Sequence, residues 1–147
     1  MKRDSRLSSV LHALLHMAER DGPMTSEELA RCLHANPVVV RRTMAFLRKA
    51  GMVGSTPGHA GGWILTADLG AISLRQLHEA LGEPAIFAIG NRNETPVCLV
   101  EQSVNAVLDT AFAEVEALLM QRFEHISLAD LAADFARRLP HAAAGED

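Results

Sequence analysis

Cysteine is scarce in this sequence, and long apolar runs are missing from it. The two cysteines, Cys32 and Cys98, make no disulfide framework and suit a reducing compartment. No stretch approaches the roughly 20 apolar residues that a membrane-spanning helix requires, so no membrane partner is expected. The segment MKRDSRLSSVLHALLHMAER opens charged and turns amphipathic, with Glu19 and histidines interrupting it. No small-residue cleavage site follows, so a signal peptide is not expected and a cytoplasmic location is. Also missing are a phosphate-cradling glycine loop, a nucleophile elbow and any clustered pair of carboxylates. An enzymatic reading is left without support.

What is present suffices for one folded domain with an appended helical arm: 147 residues, 48% hydrophobic and 22% charged. The net charge of −4 hides a division within the chain. Residues 1–65 carry nine Lys/Arg against five Asp/Glu, whereas residues 66–147 carry five against thirteen. The first part is therefore +4 and the second −8. A basic half beside an acidic one is the footprint of a local nucleic-acid surface, which an even spread of charge would not give.

The basic half also has the matching pattern of elements. A first helix is expected from about Ser5 to Arg20, buried through Leu7, Val10, Leu11, Leu14, Leu15 and Ala18, with Asp21-Gly22-Pro23 ending it. Thr25 to Glu28 form a capping box that starts a second helix over about Ser26 to Leu33. After the turn His34-Ala35, Asn36 caps a third helix and Pro37 fits its first turn. Val40, Met44 and Leu47 recur at helical spacing toward a core, while Arg41, Arg42, Arg48 and Lys49 fall largely on other faces before Gly51 stops the helix. Two short strands follow, Met52 to Ser55 and Gly62 to Leu65, joined by a TPGHAG tip. Five glycines between Gly51 and Gly62 allow positive φ and close approach of backbone to phosphate. The order predicts a mainly α protein, a winged helix-turn-helix with a two-stranded wing, whose third helix enters the DNA major groove.

Ser73 to Gln76 cap a further helix reaching about Leu81. Residues 82–97 read as a loop or linker. From about Leu99 to Phe123 runs the longest helical pattern, with Val104, Leu108, Ala111, Val115 and Leu118 forming a seam that suits helix-on-helix packing. That seam packs either on the chain's own first helix or across a homodimer. The expectation is a homodimer, which sets two reading helices about one DNA turn apart on an inverted repeat. A last helix starts at Ser127/Asp130 and reaches about Leu139. The expected organisation is thus a DNA-binding domain over 1–81, a sensor linker over 82–97, dimerisation helices over 98–140 and a disordered tail over 141–147.

On this pattern the residues expected at double-stranded DNA are Asn36, Pro37, Val38, Arg41, Arg42, Arg48 and Lys49 on the third helix. Thr25 and Ser26 join them at the start of the second helix, where hydroxyls and free N–H groups suit a phosphate. His59 and Gly61 join them from the wing. Gly61 and Gly62 also read as structural, and Trp63 as packing under the wing. Cys98 stands where a helix N-terminus lowers a thiol pKa, which suits a redox sensor responding to an oxidant. Cys32, among apolar residues, reads as core. His12 and His16 are four apart on the first helix, but no third ligand has obvious spacing to join them, and two solvent-side histidines are expected.

With these elements in order, the chain resembles the Rrf-two family of bacterial winged-helix transcription regulators, to which the iron–sulfur regulator IscR, the nitric-oxide-sensing NsrR and the cysteine-metabolism repressor CymR belong. The resemblance covers about residues 5 to 138. It rests on LRKAGMV leading into the wing, HAGGW followed by ILTADLGAISL, and the long helix leading into HISLADL. Gly61-Gly62-Trp63 stands where the family usually has Gly-Gly-Tyr. Iron–sulfur members place three cysteines near the start of the long helix, and this chain has Cys98 alone there. The resemblance therefore implies a member without an iron–sulfur cluster, hence no cofactor. Arg41 matches a position that is acidic in the iron–sulfur regulator, which implies a different base preference, guanine over cytosine. A wing arginine that enters the minor groove in some members falls here on Pro57, with His59 nearby.

The expected function is a sequence-specific DNA-binding transcription regulator, a repressor, under thiol-based or small-molecule control. A small-molecule effector would sit among Ile86, Phe87, Ile89 and Val97. The alternative is a protein-interaction module that regulates a partner enzyme.

Overall fold

The computed structural model describes residues 3–142. Local signals account for most of its first half. Helix α1 spans Arg6–Glu19, α2 spans Ser26–Leu33 and α3 spans Pro37–Lys49. The α2 cap closes as a reciprocal pair: Glu28 N–H donates to Thr25 Oγ1 (3.1 Å), and Thr25 N–H donates to a Glu28 carboxylate oxygen (2.8 Å). Asn36 Oδ1 accepts from Val38 N–H at 2.8 Å, and Pro37 stands at the first helical position. At the other end Gly51 takes a φ of +78°. Its N–H reaches the Arg48 carbonyl, and the next N–H, of Met52, reaches Leu47. These are the paired bonds by which glycine ends a helix and turns the chain out.

Strand β1 (Val53–Thr56) pairs antiparallel with β2 (Gly62–Leu65), Val53 opposite Leu65 and Thr56 opposite Gly62. The first strand begins at Val53, one residue later than expected; Met52 before it is buried, and its carbonyl accepts from Thr66 N–H. The connection from α1 to α2 adds a single rung. Met24 N–H donates to the Trp63 carbonyl (3.0 Å), and Trp63 N–H donates back to Met24 (2.8 Å). The wing base is thereby sewn to the start of α2. A short 3₁₀ turn, Leu69–Ala71, capped by Asp68, precedes α4 (Leu74–Ala80) and is not foreshadowed by the hydrophobic pattern. Helix α4 starts with the expected box, Ser73 and Gln76 satisfying each other.

The core lies where α1, α2, α3, α4 and the wing base meet, and Leu14, Leu29, Leu47 and Leu77 are fully buried there. On α1 the buried stripe is Val10, Ala13, Leu14 and Met17, with Leu7, Leu11 and Leu15 packed at its edge. The expected stripe is thus rotated toward Ala13 and Met17.

Helix α5 (Leu99–Glu124) is the long one, and α6 (Leu128–Ala142) turns back from it. Leu128 is fully buried in the same core as Leu14 and Leu77. Leu128 N–H donates to the Ile72 carbonyl (2.8 Å), and Leu74 N–H donates to Ile126 (2.9 Å). By packing, the start of α6 therefore belongs with α1 to α4 and the wing, the head of the molecule, rather than with α5. Helix α6 also runs past Leu139 through Pro140 to Ala142, so the expected start of the tail at 141 is helical backbone. From residue 143 on, the expected tail lies outside the described residues.

Glycine is required at one junction in particular. A Cβ on Gly62 would stand 2.6 Å from the Met24 carbonyl oxygen, where the two main chains cross. Gly62→Ala is expected to destabilise the protein by about 1–3 kcal/mol through overpacking. Gly90→Ala, where a Cβ meets nothing within 4 Å, should leave stability nearly unchanged. Urea unfolding of both variants beside the parent chain checks the contrast.

Candidate nucleic-acid interface

Burial of Val40, Met44 and Leu47 leaves the opposite side of α3 to solvent. At 100° per residue, Val38, Arg42, Ala45 and Lys49 share the outward line, with Arg41 and Arg48 on one flank and Val39 and Phe46 on the other. All eight are exposed. Among the described residues, Arg42, Arg48 and Lys49 have no carboxylate partner, so no described carboxylate compensates their charge. Arg41 differs: its guanidinium pairs with the Glu27 carboxylate across the α2–α3 turn, a half-exposed pair. Sequence reading missed this pairing because the partners are 14 residues apart and lie on different helices. It missed Phe46 as well, a large aromatic left 47% exposed on the flank of α3.

Several expected contacts are otherwise engaged. The Ser26 side chain is buried, and its Oγ accepts from the Trp63 indole N–H at 3.0 Å. Its hydroxyl holds the wing base to α2 and is not offered outward. Thr25 Oγ1 is taken up by the capping box, and Glu28 also meets Arg20 at 3.0 Å. The Thr25 N–H and the Arg20 guanidinium together hold the Glu28 carboxyl below its ordinary range. What the start of α2 leaves for a phosphate is main-chain N–H, beside the carboxylate of Glu27. Gly61 N–H donates to the Gly58 carbonyl at 3.1 Å, so it too serves the turn rather than a phosphate. A side chain at Gly61 would collide with the Thr56 carbonyl, which explains the glycine sterically. Pro57 and His59 stand exposed at the wing tip. Asn36 is exposed, its side chain already capping α3, and Pro37 is half-buried.

Away from the head, no residue of α5 is buried within the chain. Val104 and Val115 are each 51% exposed and Leu118 66%; Ala111 is exposed and Leu108 half-buried. Leu99, Val100 and Val107 add to this apolar surface. Helix α1 is covered by α6, and α5 meets the head at α4, so packing on the chain's own first helix does not account for the seam. Residues 82–97 lie along α5 instead of hanging free. Phe87 stacks on Phe112 with centroids 5.6 Å apart, Asn91 Nδ2 donates to Asp109 (2.9 Å), and Asn105 Nδ2 donates to the Asn93 carbonyl (2.8 Å). Ile86, Phe87 and Ile89 border one open hollow with Arg3 and Asp4. Val97, expected among them, is 93% exposed and outside it.

Cys98 occupies the N-cap of α5 and is exposed. The main-chain N–H groups of Glu101 and Val100 face its sulfur and hold the thiol below its usual range. Cys32 is half-buried on α2, packed against the core, as its apolar neighbours suggest.

Comparison with known proteins agrees with this architecture. The model of a family described as Rrf2, iron-dependent transcriptional regulator, matches residues 3–134. YwnA of Bacillus subtilis (strain 168), named as an HTH-type transcriptional regulator, is 32% identical over 129 residues, covering 87% of this chain and 95% of its own. A crystal structure of a transcriptional regulator from Lactobacillus plantarum superposes with a TM-score of 0.74 at 27% identity, covering 97% of this chain and 99% of that one. IscR of T. potens shares the fold, with a TM-score of 0.68 at 21% identity over 91% of this chain and 88% of its own.

The environment of Cys98 has a measurable consequence. Its thiol is stabilised as the anion in the folded state, so thiolate persists to lower pH than in the unfolded chain. The difference closes once the pH is high enough to ionise both. Iodoacetamide labelling followed by mass spectrometry should modify Cys98 well before Cys32 at neutral pH. The Cys98 rate should exceed that of the urea-unfolded chain, most clearly on the acidic side.

Proposed function

The chain belongs to the Rrf2 family of transcriptional regulators, and on that premise we propose that it is a repressor that binds an inverted-repeat operator as a homodimer through α3. The observation that carries the α3 assignment is the trio of exposed cations, Arg42, Arg48 and Lys49, without a carboxylate partner among the described residues, on a helix whose other side is locked into the core. Arg42 lies on the outward line and suits a base edge or phosphate. Arg48 and Lys49, near the helix end, suit phosphate. Arg41 reaches DNA by exchanging Glu27 for a base, a trade between a carboxylate and the guanine O6/N7 edge. Val38 and Asn36 approach from the helix start, and His59 from the wing. Thr25, Ser26 and Gly61 act by holding the frame that presents them.

A homodimer through Val104, Leu108, Ala111, Val115 and Leu118 is the reading that gives α5 a partner. An apolar helix surface of this length, left in water, has the hydrophobic effect driving it toward association. We also read the chain as a member that works without an iron–sulfur cluster. Such a cluster takes four protein ligands, normally cysteines. The cysteines here are Cys98 at the start of α5 and Cys32 packed on α2, and no three His, Cys, Asp or Glu come together as a metal-holding group among the described residues. These residues do not fit the group. Control through Cys98, by oxidation to a mixed disulfide or an intersubunit bridge, is the form of signalling its exposure and lowered pKa support.

Fluorescence anisotropy tests the DNA reading, with the promoter region of the protein's own gene and scrambled DNA at two salt concentrations. Binding should be selective and fall steeply with salt, and Arg42→Ala should lower affinity by about tenfold or more. Arg41→Ala should reduce selectivity, and Glu27→Gln should tighten binding by freeing Arg41 from its partner. Equal weak binding to both DNAs in every variant would discard α3 as the reading helix and favour an interaction module. Sedimentation velocity tests the dimer: Leu118→Glu should shift the protein toward monomer with its helical content unchanged. A monomeric parent chain at micromolar concentration would remove α5 as the interface.

A further inference from the structure

His12 and His16 stand one turn apart on α1, and their side chains converge. The Nε2 atoms are 3.0 Å apart, with ring centroids at 4.8 Å and planes inclined by 35°. In this arrangement one ring presents an Nε2 proton and the other an Nε2 lone pair to the same point in space. Replacing that proton by a metal ion needs little movement. Two imidazole nitrogens bound tetrahedrally at about 2.0–2.1 Å lie about 3.3 Å apart, so the rings need separate by only about 0.3 Å.

The pair also has a built surrounding. With Leu15, Glu19 and Phe135 it borders a hollow of about 240 Å³ at the edge where α6 packs on α1. Phe135 closes one side with an apolar ring, and Glu19, one turn beyond His16, supplies a nearby negative charge. No third protein ligand completes the set among the described residues, which leaves the remaining coordination positions to water. We propose that His12 and His16 form a two-histidine chelate for a late first-row divalent cation such as Zn²⁺. Imidazole donors suit Zn²⁺ and exclude Mg²⁺, which requires oxygen ligands. Binding there staples two successive turns of α1 beside α6 and stabilises the head, because the unfolded chain does not hold the two rings together.

Isothermal titration of the full chain with ZnCl₂, in a Cys98→Ser background that removes the exposed thiol, is the test. One Zn²⁺ per chain is expected. Each of His12→Gln and His16→Gln should weaken binding by about tenfold or more, the loss expected when the linked second ligand and its high effective concentration are removed. Zinc should raise the thermal midpoint of the parent chain and not of the variants, and MgCl₂ should do neither. Both rings are exposed, so the substitutions leave the core intact, and circular dichroism verifies this. Absence of saturable zinc binding, or affinity unchanged in both histidine variants, would overturn the assignment.

Discussion

Burial of Val40, Met44 and Leu47 in the common core with Leu14, Leu29 and Leu77 fixes the rotation of α3 about its own axis, and the outer surface inherits its composition from that constraint. Three residues at spacings of four and three occupy one side of the helix. Every other position on α3 is then assigned to the flank or the outward line. Were the helix turned by a single residue, about 100°, either Arg41 and Arg48 or Thr43 and Phe46 would enter the core. The first turn would bury charge and the second would bury a hydroxyl and overpack the site of Leu47 with a larger ring, so the exposed cations are held in place by what their neighbours cannot do.

The wing is attached to this frame by contacts that leave it little independence. Main-chain bonds between Met24 and Trp63 and the indole–hydroxyl bond from Trp63 to Ser26 join β2 to the start of α2. The absence of a side chain at Gly62 permits the two chains to cross. The start of α2 is therefore both a helix cap and an anchor for the wing. This explains why both of its hydroxyl groups are already engaged, Thr25 in the cap and Ser26 with Trp63.

Elements whose signals are local were legible in the sequence. The α2 and α4 caps, the Asn36-Pro37 entry to α3, the Gly51 exit and the length of α5 each depend on residues within a few positions of one another. What escaped depends on tertiary neighbours. Nothing near Ser26 in sequence announces Trp63, and Glu27 and Arg41 meet only because the α2–α3 turn folds them together. Leu128 looks like any other helix residue until it fills the gap beneath Ile72 and Leu77. The 3₁₀ turn at Leu69–Ala71 is too short to carry a periodic pattern. On the candidate interface, residue identities were readable, but the division between residues that face outward and residues that hold the frame was not.

Helix α5 is tied to α4 at one end. The Arg75–Glu124 ion pair, the bond from Leu74 N–H to Ile126 and the insertion of Leu128 all gather at its C-terminus, whereas Cys98 begins the other end. A helix of 26 residues is roughly 39 Å long at 1.5 Å per residue. It is a lever with its fulcrum in the head. A tilt of about ten degrees at the fulcrum sweeps the Cys98 end through roughly 7 Å of arc on that length. Read in reverse, a displacement of several ångströms at the far end corresponds to a rotation of only about ten degrees at the head.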